Sequence, residues 1–163
     1  MITFSQLQLE RYDIRSLKMV ETLCKPASGK REKASLKIDV THTVEDNSEN
    51  PNAFSSELRV RIVPQTVPPG AGKMLAFDIE VVGLFRIDGE CSAEMGERFR
   101  SQSAPAILYG VCRGICGMMT GVSTLGRNEL PTLNLMRLPM KRKKGVSRAA
   151  LRRPDKKDER GTG

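Results

Sequence analysis

The sequence predicts an α+β fold, in which a four-stranded antiparallel meander is followed by helices and the longest helix covers one face of the sheet. Three observations predict it. Four stretches in the first half of the chain alternate apolar and polar residues, as half-buried strands do. After Gly89 the apolar period changes to that of a helix. Because the strands come first and the helices second, a layered α+β domain is favoured over a parallel βαβ fold.

Residues 4–20 predict a long first strand that contains bulges. Apolar residues occur here in pairs with period two, and the phase shifts from each pair to the next. Such shifts are typical of a strand interrupted by bulges. The pairs are Leu7 and Leu9, Tyr12 and Ile14, and Leu17 and Met19.

Three more amphipathic strands are predicted at residues 36–44, 58–62 and 75–87. Polar or Pro/Gly-rich turns separate them. Pro64 is expected to weaken or end the third strand, because proline has no N–H to donate to a ladder. Together the four strands form a meander with one apolar face.

Two helices are predicted after the meander. Ser92 is placed as the N-cap of a short helix that ends near residue 100. Pro105 opens a longer helix to about residue 120, since apolar residues recur there at steps of three and four.

Four glycines share one face of the longer helix, and each costs about 1 kcal/mol relative to alanine. A strip of small residues lets another backbone approach closely. The strip therefore either packs on the chain's own sheet or forms a subunit interface between identical helices, as a two-fold contact allows. The four are Gly110, Gly114, Gly117 and Gly121.

The chemistry-bearing residues do not combine into a catalytic or cofactor site. The segment at residues 70–73 resembles the end of a phosphate-binding loop, but Val67 replaces its first glycine and Met74 its Ser or Thr. The four cysteines include no CxxC pair, and His42 is the single histidine. We therefore expect a binding protein, not an enzyme, with no metal ion and no cofactor.

No segment resembles a signal peptide or a membrane span. Charged and polar residues interrupt the N-terminal stretch at once, and no uncharged apolar run approaches the length that crosses a bilayer. The sequence thus predicts a cytoplasmic protein with reduced thiols.

The positive charge is concentrated at the C-terminal end. Residues 1–136 contain 16 Lys or Arg and 16 Asp or Glu, whereas residues 137–160 contain eleven Lys or Arg and three Asp or Glu. We therefore divide the chain into a domain at residues 1–140 and a basic, disordered tail at residues 141–163.

The tail has two interpretations. The basic block Lys141, Arg142, Lys143 and Lys144 is of the kind that contacts phosphates of nucleic acid or anionic lipid. Because aromatic residues are missing from the tail, contact with nucleic acid would be nonspecific. Alternatively, the tail only increases solubility and has no dedicated partner.

Three segments resemble the SecB family of protein-export chaperones. Residues 77–89 (FDIEVVGLFRIDG) are similar to the last strand of that family. About twenty residues later, residues 104–113 (APAILYGVCR) resemble the start of its long helix, and residues 130–135 (LPTLNL) resemble its Pro-x-Leu-x-Leu segment. The order and spacing of the segments match as well, so the resemblance covers about residues 4–140.

The resemblance implies a homotetramer, built as a dimer of dimers with the long helix in the contact. It also implies a chaperone that holds unfolded or precursor polypeptides in apolar grooves without ATP and delivers them to the translocase ATPase SecA. Asp78 is the expected translocase contact. The groove would use side chains from the first two strands and from the segment after the long helix, each of which could equally belong to the core: Leu17, Met19, Leu36, Ile38, Leu133, Leu135, Met136 and Leu138.

The chain also departs from the family pattern. Gly110 stands where the family has proline, and Ser16 and Val20 stand where it has the acids of the first strand that contact SecA. Two alternatives to export therefore remain. One is a SecB-like chaperone of a specific partner, such as an antitoxin. The other is an oligomeric adaptor whose basic tail binds nucleic acid or an anionic membrane.

Overall fold

The chain folds into a five-stranded sheet with a long helix packed on one face, which confirms the predicted fold class. The computed structural model describes residues 5–23, 35–66, 73–121 and 130–143. The elements are β1 (Leu7–Leu23), β2 (Ser35–Asp46), β3 (Ala53–Thr66), β4 (Lys73–Ile87), α1 (Ala93–Arg98), α2 (Ala104–Gly121) and β5 (Met140–Lys143). The strand order is β1-β4-β3-β2-β5, and the first four strands are antiparallel. The predicted meander order is therefore wrong, because β1 lies beside β4 and not beside β2, and local alternation does not show which strands pair.

The predicted bulges in β1 are confirmed. The register between β1 and β4 shifts once between Leu9 and Arg11 and again between Ile14 and Ser16. Directly opposite residues of antiparallel strands share a face. The two shifts therefore keep all three apolar pairs of β1 on the face that carries α2.

Near Pro64, β3 stops pairing with β4, as expected, but it continues to pair with β2. The ladder between β3 and β4 stops at the pair formed by Ile62 and Phe77, whereas β3 continues beside β2 to Thr66. Pro64 itself lies opposite Leu36, next to a register shift. A proline is tolerated at this position because β3 has a single described neighbour there.

The fifth strand was not predicted, and it corrects the predicted start of the tail. Met140–Lys143 pairs in parallel with β2, with Met140 opposite His42. The strand is short and mostly charged, so it shows no alternation. Residues 141–143 therefore belong to the sheet. Lys144 and the rest of the predicted tail lie outside the described residues, so the disorder of the tail stays a prediction.

Both predicted helices are confirmed. The Ser92 hydroxyl accepts a hydrogen bond from the backbone N–H of Met95 at 3.2 Å, which caps α1. One π-helical turn, Phe99–Ser103, joins α1 to α2. No helix in the described ranges is long and apolar enough to cross a membrane.

The helix approaches the sheet closely at Gly83. A Cβ atom at this position would lie 2.7 Å from Phe85 Cε2, 2.8 Å from Leu108 Cδ2 and 3.0 Å from Leu9 Cδ1. The missing side chain thus makes room for Leu108 of α2 over the centre of the sheet. The core around this contact is formed by fully buried side chains of β3, β4 and α2: Leu58, Val60, Ile79, Val81, Leu108 and Cys112.

One polar pair is buried on the same face. His42 is 1% exposed, and its Nε2 lies 2.9 Å from the Ser56 hydroxyl. Its Nδ1 has no hydrogen-bond partner among the described residues. Because a charged imidazole would be desolvated here, burial lowers the pKa of His42 from 6.5 to about 4.

Replacing Gly83 by alanine is expected to lower the free energy of unfolding by about 1–3 kcal/mol, because the added methyl overfills the contact with Leu108. Urea denaturation measures this loss. In a Leu108→Ala background the cost of Gly83→Ala should shrink, since Leu108 Cδ2 is one of the three atoms that the added methyl would meet, and this variant removes it. An undiminished cost in that background would contradict the contact.

The stability should also depend on the protonation of His42. The unfolded chain binds more protons between pH 6.5 and about 4, so the free energy of unfolding decreases as the pH falls through this window. We expect this loss to reach roughly 2–3 kcal/mol. Urea denaturation of the wild type and of the apolar variant His42→Leu/Ser56→Ala, compared across that window, tests it. Equal pH dependence of both proteins would refute the assignment.

Candidate functional site

The sheet has one polar face and one apolar face. On the polar face, opposite charges pair with each other. Arg59 donates to both carboxylate oxygens of Asp78, at 2.9 and 2.7 Å. Glu57 accepts from Arg15 and from Lys143, each at 3.1 Å. The charges of this face therefore neutralise one another to a large extent.

Asp78, the expected translocase contact, lies on this polar face. The hydrogen bond from Arg59 lowers the pKa of Asp78, burial opposes that effect, and the positive charges of Arg59, Arg61 and Lys18 lower the pKa further. The carboxylate is thus held ionised among cations. Its role as a translocase contact stays a prediction.

The opposite face carries a row of apolar side chains across four strands. Ile38 of β2 lies opposite Ile62, Ile62 opposite Phe77, and Phe77 opposite Met19 of β1. Ile62 and Phe77 are buried, whereas Ile38 and Met19 are half-buried at the two sides. We call these four residues the apolar row.

Two other predicted groove residues lie on the same face, beside the apolar row. Leu36 precedes Ile38 by two positions in β2 and is 43% exposed. Leu17 lies opposite Ile79 in the register of β1 with β4 and is half-buried. The structure thus brings the four predicted strand residues onto one surface at one end of the sheet.

Sequence reasoning missed two exposed residues of this surface. Tyr12 is 46% exposed and Ile14 is 45% exposed, and both lie on the apolar face of β1. They form the middle apolar pair of the first strand, so the pairing pattern already placed them beside Leu17. What the sequence did not show is that α2 leaves this part of β1 uncovered.

The predicted residues after α2 form a second surface. A cavity of about 280 Å³ is lined by Ala106, Tyr109, Leu133, Leu135 and Met136, with the amides of Gln102 and Asn134. We call it the α2 pocket. Leu135 is buried, Leu133 is half-buried, and Met136 is 67% exposed. None of the predicted strand residues lines this pocket, so the predicted groove residues fall into two places.

One hydrogen bond holds the wall of the α2 pocket against the helix, and a second shapes the wall itself. The Tyr109 hydroxyl donates to the carbonyl oxygen of Pro131 at 2.6 Å. The Asn134 side chain accepts from the backbone N–H of Met136 at 3.1 Å and caps the 3₁₀ turn Leu135–Arg137. Leu138 does not line the pocket and packs, half-buried, against the core.

The glycine strip of α2 points away from the sheet. Gly110, Gly114 and Gly121 are exposed, and a Cβ at any of them would meet nothing within 4 Å in the described part of the chain. Gly117 is half-buried. The strip therefore does not pack on the chain's own sheet, and that interpretation is wrong for the three exposed glycines.

A second cavity, of about 380 Å³, lies between α1 and the β2–β3 turn. Arg100 lies beside it and donates to Asp46 at 2.7 Å, to the Pro51 carbonyl at 2.9 Å and to the Gly96 carbonyl at 3.0 Å. Its guanidinium also stacks 4.8 Å from the centre of the Phe54 ring. These contacts tie the helices to the sheet.

The thiols and carboxylates offer little chemistry in the described ranges. Burial raises the pKa of the Cys112 thiol to about 12, which keeps it protonated. No group of three or more His, Cys, Asp or Glu in these ranges is placed to hold a metal ion. Exposed apolar side chains on the apolar face of the sheet and on the helices are the other candidate for a functional site.

Comparisons with known proteins agree with the fold. No family model matches the chain, and no curated protein matches it. Among solved structures, the chain is similar to the Mycobacterium tuberculosis SecB-like chaperone Rv1957, solved with a ChAD peptide from the antitoxin HigA1, with a TM-score of 0.56 and 18% identity over 78% of this chain and 91% of that one. A Streptococcus agalactiae protein of unknown function gives a TM-score of 0.47 and 11% identity over 80% of this chain and 100% of that one. The first of these likenesses establishes a SecB-like fold.

Proposed function

We propose that this chain is a SecB-like chaperone that holds unfolded or partly folded polypeptides without ATP. The observation that carries the proposal is that apolar side chains stay exposed on one face of the sheet, where Tyr12, Ile14 and Leu36 are each more than two-fifths exposed. Large exposed apolar patches mark binding sites. The SecB-like fold supports the same function.

The physical basis is the removal of apolar surface from water. Burial of apolar area contributes about 25 cal/mol per Å² and has no directional requirement, so many sequences can bind the same surface. The exposed methionines Met119 and Met136 add adaptable apolar contacts on the helical side. A holding activity of this kind needs no nucleotide and no catalytic group.

Two kinds of client are compatible with this function. Delivery of precursors to SecA is what the family resemblance implies. Binding of one specific partner, such as an antitoxin, is favoured by the ion-paired polar face, because Asp78 is surrounded by cations and Ser16 and Val20 replace acids. We place the partner-specific chaperone beside export as the second form of the proposal.

The adaptor alternative rests on the basic block. Within that block, Arg142 pairs with Asp46 and Glu97, and Lys143 pairs with Glu57. Side chains paired with carboxylates are less available to phosphates. These contacts therefore favour the chaperone over an adaptor for nucleic acid or lipid.

We also propose that the glycine strip forms the contact between subunits of a homotetramer. Its open face lets a second helix approach closely, since no side chain stands between the backbones. Ile107 and Met118 are exposed on the same helix, 37% and 70%, and would add apolar area to such a contact.

The holding activity predicts that the folded protein suppresses aggregation of a denatured client at stoichiometric amounts without nucleotide. Replacing exposed apolar residues in Ile14→Ser/Leu36→Ser should weaken suppression several-fold, because less apolar area is covered. Light scattering of a diluted, chemically unfolded client measures it.

The matched control is Val20→Ser, because Val20 is 58% exposed but lies on the polar face. It should suppress aggregation like the wild type. The proposal fails if the folded wild type does not suppress aggregation, or if Val20→Ser weakens suppression as much as the double variant.

The interface predicts that Gly110→Leu/Gly114→Leu lowers the mass of the particle. Leucine is a better helix former than glycine and ranks next to alanine, which exceeds glycine by about 0.8–1.0 kcal/mol per site, so the fold should persist while the close approach is blocked. Light scattering gives the mass, and circular dichroism checks the fold. A monomeric wild type, or an unchanged mass in the folded variant, would rule out the glycine contact.

A further inference from the structure

We propose that the α2 pocket selects polypeptide segments in which apolar side chains are flanked by carboxylates. This inference rests on the proposed function and names the class of client segment that the pocket takes. It is carried by the apolar walls of the pocket together with two arginines that follow lining residues and form no ion pair with any described residue.

The interior of the α2 pocket fits large apolar side chains. Its volume of about 280 Å³ exceeds the roughly 150 Å³ of an engineered cavity that binds benzene. Leu133, Leu135 and Met136 supply apolar walls, and the flexible Met136 can adjust to different shapes. There is therefore room for an aromatic ring and part of its neighbour.

The two described segments that supply most of the lining of the α2 pocket carry charges of one sign. The described residues 104–121 and 130–143, which include most of its lining, contain five Lys or Arg and no Asp or Glu. Arg113 lies one helical turn after the lining residue Tyr109, and Arg137 directly follows the lining residue Met136. A carboxylate of a bound segment would find two guanidinium groups at this rim.

Arg113 and Arg137 are also available. Neither forms an ion pair with any residue that the structure describes, whereas Arg142 and Lys143 of β5 pair with acids. Arg113 acts electrostatically on Tyr109, since burial raises the pKa of the tyrosine hydroxyl and the positive charge of Arg113 lowers it. Guanidinium groups bind carboxylates by charge-assisted hydrogen bonds, so unpaired arginines favour an acidic neighbour.

Charge also argues against the C-terminal segment of the same chain as the occupant of the α2 pocket. Residues 144–163 contain seven Lys or Arg and three Asp or Glu, so this segment would be repelled by the cationic rim. We therefore assign the α2 pocket to a segment of another polypeptide.

The test uses short fluorescent peptides with the same central Phe-Leu pair, flanked by glutamate, glutamine or lysine. Fluorescence anisotropy with the full chain measures their affinities. We expect the glutamate peptide to bind about tenfold more tightly than the glutamine peptide, and the lysine peptide to bind most weakly. High salt should reduce the difference.

Substitutions of the two arginines test whether these side chains cause the preference for the glutamate peptide. Arg113→Gln/Arg137→Gln should remove the preference for glutamate, so that the glutamate and glutamine peptides bind with similar affinities. Arg61→Gln is the control, because it removes one exposed positive charge from the polar face. It should keep the preference.

The outcomes separate this inference from the proposed function. Equal affinities for the three peptides, or a preference that survives Arg113→Gln/Arg137→Gln, would overturn the selection while suppression of aggregation still stood. A protein that binds no peptide and suppresses no aggregation would overturn both.

Discussion

The contact between Leu108 and Gly83 is the constraint on which the rest of the structure depends. Because Gly83 has no side chain, α2 lies close against β4, and the buried stripe of the helix is fixed on the sheet. The opposite side of the same helix must then face outward, which places Gly110, Gly114 and Gly121 in the open. One close contact thus determines which part of the helix belongs to the core and which part is available to another subunit.

The same arrangement leaves apolar surface uncovered. The bulges of β1 keep its apolar residues on the face that carries α2, yet Tyr12 and Ile14 stay exposed beside the helix. The polar face has the opposite character, since its exposed charges pair across strands as in Arg59 with Asp78. Under the proposed function, an asymmetric sheet of this kind would direct polypeptide binding to one face.

Much of the fold could be predicted from the sequence, because it depends on local periodicity. The phase shifts in residues 4–20 anticipated the bulges, and Ser92 anticipated the start of α1. The strand β5 could not be predicted, since a short charged strand that pairs in parallel with a distant partner has no local pattern. For the candidate site, the alternation of apolar and polar residues indicated which positions face the apolar side, but not which of those side chains stay exposed. Leu135 is buried while Leu36 is open, and only packing distinguishes them.

The central claim is that polypeptides bind the apolar face beside α2. A photo-crosslinking amino acid placed at position 14 or at position 20 tests it most directly, because both sites are exposed strand positions on opposite faces of the sheet. We expect an unfolded client to crosslink efficiently at position 14 and only weakly at position 20. Equal crosslinking at both positions, or stronger crosslinking at position 20, would contradict it.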